Sequence, residues 1–259
     1  MSLGDVRSSF FYGHTITSFN YYIDFNEGGS ELSTTLNIGD YTLTEYGNEL
    51  QRALNSKGSL TYTVGLDRST REFSISSTGA FTLLISSGSH SGTSSYPLAG
   101  FTGADLSGLS SYTANEKSGK EYRPQFYLQR YIDKDDYVQA VNSKINKAGN
   151  GDVEAFSFGN EKFMECNIMY ANDYDNGMNS VIETNLTGVA NLRAFLTDLI
   201  GKTRIEFIHD RDNPEIFDSF ILESSKGNKS GTGFMLKELY SKGMVGYYET
   251  GTLKFREVT

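Results

Sequence analysis

The chain has 259 residues, of which 37% are hydrophobic and 21% are charged, and its formal net charge is -9. This length predicts two domains or one large all-β domain, with enough apolar side chains to form a core. The sequence has no apolar run near the roughly 18 residues of a membrane-spanning helix, and its one cysteine, Cys166, cannot form an intramolecular disulfide. The acidic balance disfavours nucleic acid as a partner, because that binding depends largely on basic side chains that neutralise phosphates.

Residue usage indicates a β-rich chain. The sequence has 17 Tyr, 17 Phe and 27 Gly but only 3 Pro. Aromatic side chains favour strands, while glycine and serine favour the turns between them. The first residues lack the basic and then apolar pattern of a secretion signal, so we expect the chain to be made and folded in a cytoplasm.

The clearest helix prediction covers residues 42–55. Apolar side chains recur there with helical spacing, which predicts one buried face. Thr42 and Glu45 have the spacing of a capping box, in which each side chain accepts a hydrogen bond from the other residue's amide, and Gly58 follows the predicted end. The predicted face comprises Leu43, Tyr46, Leu50, Ala53 and Leu54.

Strands are predicted on both sides of this helix. Apolar and polar residues alternate in each of them, as they do in half-buried strands. Together with the helix they form an α+β unit. The predicted strands are 19–25, 33–38, 60–66, 73–75 and 81–85, with a break at Thr78-Gly79 between the last two.

A domain boundary is predicted in the Gly- and Ser-rich region that follows. Residues 86–96 read SSGSHSGTSSY, which we expect to be too polar and flexible to pack, and residues 100–119 are rich in small side chains. This boundary divides the chain into an N-terminal α+β domain, residues 1–110, and a C-terminal β-rich domain, residues 111–259.

The second half again predicts strands and one helix. Residues 135–159 fit either a helix or a hairpin, and the glycines near their centre favour the hairpin. A helix is predicted over 187–200, with Asn185 or Thr187 as its cap and Gly201 after its end. The other predictions are strands at 125–132, 163–170, 203–208, 217–223, 245–248 and 252–258 and a loop at 172–178. The predicted fold class is therefore α+β and β-dominated, with two β-rich domains of sandwich-like or barrel-like sheets that each contain one prominent helix.

Two short motifs resemble phosphate-binding loops but lack the required glycines. Gly201-Lys202-Thr203 needs a glycine where Leu196 lies, and it joins a helix to a strand rather than a strand to a helix. We interpret Gly201 as a helix stop. Residues 226–233 have Asn in place of the required glycine and favour a flexible hairpin loop.

The acidic segment DYDNG, residues 173–177, has some features of a calcium loop. An EF-hand has glycine at its sixth position and a bidentate Glu at its twelfth, whereas here glycine is fifth and Glu183 is eleventh. An Asx-rich turn is favoured, and an irregular surface calcium site at Asp173 and Asp175 stays open. The acidic run at 133–136 is interpreted as solvated charge.

Three histidines, His14, His90 and His209, are the candidates for a catalytic base. None lies in a nucleophile elbow, because Gly88–Gly92 has histidine where that motif needs serine and no predicted helix follows it. Carboxylate pairs of the kind that hydrolyse sugars stay open, since 32 acids always offer pairs. We predict that the chain is not an enzyme and has no catalytic, cofactor-binding or metal-binding residues.

Residues 39–87 and 98–105 resemble a module that recurs in virion proteins of tailed bacteriophages. In that pattern a Gly-x-Tyr-Thr turn leads a helix, a strand pair of the form YTV…D…T…FSIS follows, and a GF pair comes after a polar loop. The C-terminal stretch, from the helix at 188–200 to the closing ETGTLKFREV, is similar in style to tail and baseplate components. The resemblance implies a structural, non-catalytic protein of the virion tail, distal tail or baseplate, made in the bacterial host cytoplasm.

The expected partners are copies of the chain in a symmetric ring and other virion proteins, with no sequence-specific nucleic acid and no membrane. The polar loops at 86–96 and 224–233 are expected to be mobile in the free subunit and to order on assembly. The alternative is a binding module, such as a glycan-recognising β-sandwich with an exposed aromatic platform, although the absence of Trp counts against it.

Overall fold

The chain divides into two compact units in its computed structural model. Of the described residues, the N-terminal unit contains those within 8–122 and 204–217, and the C-terminal unit contains those within 123–200 and 218–258. The sequence analysis instead divided the chain once, after residue 110. The structure describes residues 8–123, 127–130, 138–147, 153–169, 171–172, 188–200, 204–225, 236–239, 243 and 245–258.

The described elements are mostly strands, and each unit contains one of the two α-helices found among them. This confirms the predicted α+β, β-dominated fold class. In chain order the elements are β1 Ser9–Tyr12, β2 His14–Ile16, β3 Tyr22–Asn26, β4 Leu32–Thr35, β5 Gly39–Tyr41, α1 Leu43–Lys57, β6 Tyr62–Asp67, β7 Glu72–Leu83, β8 Leu106–Thr113, β9 Lys120–Tyr122, β10 Tyr127–Arg130, β11 Val138–Lys147, β12 Val153–Met169, β13 Ala171–Asn172, α2 Gly188–Ile200, β14 Ile205–Ile208, β15 Phe217–Ser225, β16 Lys237–Glu238, β17 Tyr247–Glu249 and β18 Leu253–Glu257.

Helix α1 is capped as the sequence predicts and ends at Lys57, two residues beyond the predicted range. Thr42 Oγ1 accepts a hydrogen bond from the Glu45 amide at 3.2 Å, and Glu45 Oε2 accepts one from the Thr42 amide at 2.7 Å. At the other end the Gly58 amide donates to Leu54 O. These bonds satisfy terminal backbone groups that have no partner within the helix. The predicted apolar face is buried, and most of it shares a core with side chains of β6 and β7: Leu43, Tyr46, Leu50, Ala53 and Leu54.

The strand that returns after β6 is longer than predicted. The sequence predicts a break at Thr78-Gly79, but β7 continues through both residues. The irregularity lies in the pairing instead, where the register with β8 shifts between Ser76 and Phe81. A shift of strand register can accommodate residues that favour turns while the strand continues in the same direction.

The N-terminal unit contains three described groups of antiparallel strands. One has the order β4-β3-β7-β6 with β8 also paired to β7, and another pairs β2 with β5. In the third, β1 lies between β9 and β14, since Tyr12 is opposite Lys120 on one side and Ile205 on the other. This pairing explains why residues 120–122 and 205–208 belong to the N-terminal unit, although the sequence analysis assigned them to the C-terminal domain.

In the C-terminal unit β12 pairs with β10, β11 and β18, and β18 also pairs with β15. Strands β11 and β12 form the hairpin that the sequence favours for residues 135–159. β12 then continues without a break into the separately predicted strand at 163–170. Helix α2 confirms the helix predicted at 187–200, and it buries Leu192, Phe195, Leu196 and Leu199.

Several predicted features fall outside the part of the chain that the structure describes. They include most of the loop at 172–178 and the loop at 226–233. Among the described residues, none of the helices has the length and apolar character needed to span a membrane.

Candidate functional site

Residues 86–96, here called the serine loop, pack against the rest of the N-terminal unit. The expectation that they are too polar and flexible to pack was wrong. Ser95 and Tyr96 are fully buried. The Ser95 amide donates to Tyr22 O, and the Tyr46 hydroxyl donates to Ser95 O, each at 2.9 Å. The loop has few apolar side chains that could bury in a core, and much of it is held instead by hydrogen bonds to residues distant in sequence.

Two carboxylates outside the loop hold its first half. Asp105 accepts hydrogen bonds from the amides of Ser86 and Ser87, at 2.7 and 3.1 Å, and from both hydroxyls. Burial raises the pKa of Asp105, but the hydrogen bonds from Ser87 and Ser86 outweigh it, so the pKa is lowered overall. Glu31 accepts from the Ser89 amide at 2.9 Å and from its hydroxyl at 2.6 Å. Polar groups of this half of the loop are therefore bound by acidic side chains.

Asp24 is a third carboxylate and is buried, with 3% of its surface exposed. It lies in β3 between the core residues Ile23 and Phe25. Its Oδ2 accepts the His90 amide at 2.6 Å, and its Oδ1 lies 3.1 Å from His90 Nδ1. A buried carboxylate is costly unless it is paired, so the groups that face Asp24 determine what this site can do.

Several oxygens converge on one nitrogen of His90. Its Nδ1 lies 3.1 Å from Asp24 Oδ1, 3.2 Å from Ser33 Oγ and 3.0 Å from Ser89 Oγ. The ring is stacked on Tyr22, with centroids 3.8 Å apart and planes 11° apart. An imidazole nitrogen carries either one proton or one lone pair, so it cannot make three good hydrogen bonds at once.

Gly88 allows the loop backbone to approach Asp24. A Cβ at this position would lie 2.7 Å from Asp24 Oδ2 and 2.8 Å from Leu84 O. Both distances are far below van der Waals contact, and the Leu84 oxygen belongs to the backbone and cannot rotate away. Any other residue at position 88 would push the loop, and His90 with it, away from the carboxylate.

Asp24, Glu31 and His90 together form the candidate functional site. Their potential ligand atoms all lie within 4.8 Å of one another. Carboxylate oxygens with an imidazole nitrogen are a ligand set that divalent cations use in proteins. The three residues come from β3, from the residue before β4 and from the serine loop, so no local motif marks them. The sequence analysis predicted no metal-binding residue and considered His90 only as a catalytic base.

The other residues considered in the sequence analysis lie elsewhere. His14 lies in β2, with Nε2 2.8 Å from Ser118 Oγ, and burial lowers its pKa to about 4. His209 follows β14, and its ring contacts the Phe207 ring edge-on. The calcium candidates Asp173 and Asp175, the acidic run at 133–136 and the Gly201-Lys202-Thr203 motif lie outside the described residues.

A second polar centre in the N-terminal unit joins α1 to residues 204–217. Arg68 and Glu206 form an ion pair whose side chains are 5% and 0% exposed. Glu206 Oε1 also accepts from the Thr44 amide at 2.8 Å and from its hydroxyl at 2.6 Å, and the Phe217 ring centre lies 3.6 Å from the Arg68 guanidinium carbon. The positive end of the α1 dipole and Arg68 both favour the negative charge of Glu206. This centre is a charge-compensated structural contact.

No protein-family model matches the chain, and no curated protein matches it. The interpretation of the candidate site therefore depends on the geometry of its own residues.

Proposed function

We propose that the chain is a non-catalytic structural subunit of a tailed-phage virion, in the tail, distal tail or baseplate, where copies of it assemble into a symmetric ring. The resemblance of residues 39–87 and 98–105 to a virion module supports this proposal. So does the β-rich, two-unit fold, because it presents several antiparallel sheets whose loops and edges can contact neighbouring subunits.

The residues that carry the resemblance have clear roles in the fold. Thr42 caps α1, which explains the Gly-x-Tyr-Thr turn before the helix. In the GF pair, Gly100 has a φ of 82°, and a Cβ there would lie 2.0 Å from Glu116 O. Phe101 is fully buried. These residues determine the local fold of the segment that carries the resemblance.

The observation that carries the assembly part of the proposal is an exposed apolar pair. Phe19 is 80% exposed and Ile38 is 65% exposed. The pairing of β2 with β5 ends at Ile16 and Gly39, so both side chains lie just beyond the same end of this two-stranded ribbon. Large apolar side chains that are exposed at one end of the same ribbon can form part of an association surface.

The turn that presents Phe19 is fixed by its own hydrogen bonds. Asn20 Oδ1 accepts from the Thr17 amide at 2.7 Å, and Asn20 Nδ2 donates to Thr15 O at 3.1 Å. The Phe19 amide donates to Thr17 Oγ1 at 3.2 Å. A turn that is already ordered loses little conformational entropy on binding, which favours association through this side chain.

The alternative, a glycan-binding module, needs an exposed aromatic platform. Among the residues whose exposure the structure describes, Phe19 is the one aromatic side chain that is largely exposed. A single ring, with an apolar neighbour in Ile38, fits a contact between protein subunits better than a platform for sugars.

Sedimentation velocity at rising protein concentration tests the proposal. The parent chain should form a discrete larger species, since a closed ring has a fixed copy number. Phe19→Asp and Ile38→Asp should each remain monomeric while keeping the melting temperature of the parent, because both side chains are exposed.

Leu109→Asp is the matched control, because Leu109 is also exposed, at 60%, but lies in β8. It should assemble as the parent does. A parent chain that stays monomeric at all concentrations, or a Phe19→Asp variant that assembles normally, would contradict the proposal.

A further inference from the structure

We propose that Asp24, Glu31 and His90 bind a divalent transition-metal cation, and that Zn²⁺ fits the site best. The site goes beyond the structural role proposed above, because assembly through Phe19 and Ile38 does not require it.

The negative charge of Asp24 and Glu31 favours a bound cation. The Asp24 carboxylate is buried, and among the described residues no Lys or Arg side chain forms an ion pair with Asp24 or Glu31. His90 is the basic group that faces Asp24, at 3.1 Å. Two carboxylates beside one imidazole leave negative charge that a divalent cation would neutralise.

The spacing of the candidate ligand atoms suits a zinc ion. In a four-coordinate zinc site with bonds of about 2.0–2.1 Å, neighbouring ligand atoms lie about 3.3 Å apart. The separation of His90 Nδ1 from Asp24 Oδ1, 3.1 Å, already fits this spacing. All candidate ligand atoms lie within 4.8 Å of one another, and Glu31 is exposed, so its carboxylate can rotate towards the other two. The Ser33 and Ser89 hydroxyls beside Nδ1 can bind water molecules that complete the coordination.

The ligand types select the class of ion. Calcium and magnesium prefer oxygen ligands, whereas an imidazole nitrogen favours zinc and its first-row neighbours. The stacking of His90 on Tyr22 holds the ring with Nδ1 directed towards the carboxylates. An ordered ligand costs less to bring into coordination than a freely rotating one.

Binding would connect three parts of the N-terminal unit. Asp24 belongs to β3, Glu31 directly precedes β4, and His90 belongs to the serine loop. A cation held by all three would fix the loop to the β3–β4 hairpin and stabilise the folded chain, because the unfolded chain does not hold these residues together.

Calorimetric titration of the metal-free full chain with Zn²⁺ alone tests the proposal. The parent should show saturable binding and a higher melting temperature with Zn²⁺, and Co²⁺ at the same site should give the visible absorption bands of a coordinated ion. Loss of one protein ligand should weaken Zn²⁺ binding by more than about tenfold, since even indirect neighbours of a metal are worth 10-fold to 100-fold.

Two variants and two matched controls locate the binding. Glu31→Gln and His90→Ala should each lose the tight binding, and Glu31→Gln should still fold because the side chain is exposed. Glu116→Gln, another exposed acid, and His209→Ala should bind as the parent does. A parent that does not bind Zn²⁺ would overturn the proposal. Binding that persists in both Glu31→Gln and His90→Ala would also overturn it, because the ion would then be held elsewhere in the chain.

Discussion

Two regions of the N-terminal unit use polar contacts to hold segments that are distant in sequence, and they differ in charge balance. Residues 204–217 are held through Glu206, whose charge is paired with Arg68. The serine loop is held by Asp24, Glu31 and Asp105, and among the described residues no Lys or Arg forms an ion pair with them. Buried charge is costly unless it is compensated. The carboxylate of the first region is therefore already neutralised by Arg68, while the carboxylates of the second would be stabilised by a bound cation.

The largest effect is expected in the compensated region. Arg68→Ala should lower the free energy of unfolding by about 3–5 kcal/mol, because it leaves the Glu206 carboxylate buried without its partner. Urea unfolding followed by circular dichroism measures the loss. The double variant Arg68→Met with Glu206→Leu should recover most of it, since neither charge is then buried.

Arg256 provides the control for this prediction. It pairs with Glu223 of β15, and the two side chains are 41% and 29% exposed. Arg256→Ala should cost about 1 kcal/mol or less, as exposed pairs usually do, and Lys254 still lies 3.4 Å from Glu223. Similar losses for Arg68→Ala and Arg256→Ala would remove the distinction between a buried pair and a solvent-accessible pair.

The serine loop gives the next largest effect. Replacing Ser87–Ser95 with a short Gly-Ser link should destabilise the N-terminal unit by about 2–4 kcal/mol, because Asp24 and the Tyr46 hydroxyl would be left buried without their partners. Thermal melting compares the variant with the parent. An unchanged melting temperature would show that the loop contributes nothing to the fold, as the sequence alone suggested.

Two of the three histidines of this unit sharpen the contrast, because His90 faces a carboxylate and His14 faces the Ser118 hydroxyl. Burial lowers the pKa of His14 from 6.5 to about 4. Between pH 6.5 and pH 4 the unfolded chain binds a proton at His14 that the folded chain does not bind. The free energy of unfolding should therefore fall by up to about 3 kcal/mol as the pH is lowered across this range. His14→Gln should show a shallower decline between pH 6.5 and pH 4 and a similar stability at pH 8. Parallel pH profiles for the two proteins would contradict this assignment.

The smallest effect concerns Asp105. Asp105→Asn keeps one acceptor oxygen but replaces the other with a donor, so some of the Ser86 and Ser87 groups would lose their partner. We expect a loss of about 1 kcal/mol in the free energy of unfolding, and a larger loss for Asp105→Ala. Glu116→Gln, on an exposed acid, should change little, and an equal loss there would mean that Asp105 does not anchor the loop.

The elements that could be predicted from the sequence depend on local patterns. Thr42 and Glu45 are three residues apart, so the capping box and the helix it begins can be identified from spacing alone. The antiparallel pairing of β11 with β12 is likewise indicated by the glycines at 149 and 151, between the two strands in the sequence. The break predicted at Thr78-Gly79 was wrong, because the residues before and after these two pair with neighbouring strands and β7 continues through them.

The candidate site could not be predicted because its contacts are not local. His90 meets Asp24 across 66 positions and Ser89 meets Glu31 across 58. Arg68 and Glu206 are 138 positions apart. In the sequence each of these residues is an ordinary polar side chain, and only the folded sheets bring the partners together.

Quantitative mass spectrometry of purified virus particles tests the proposed virion role most directly. We expect the chain to be a constituent of intact particles, at a fixed ratio to the other tail proteins that corresponds to a closed ring. A chain that is abundant in infected cells but absent from purified particles would contradict it.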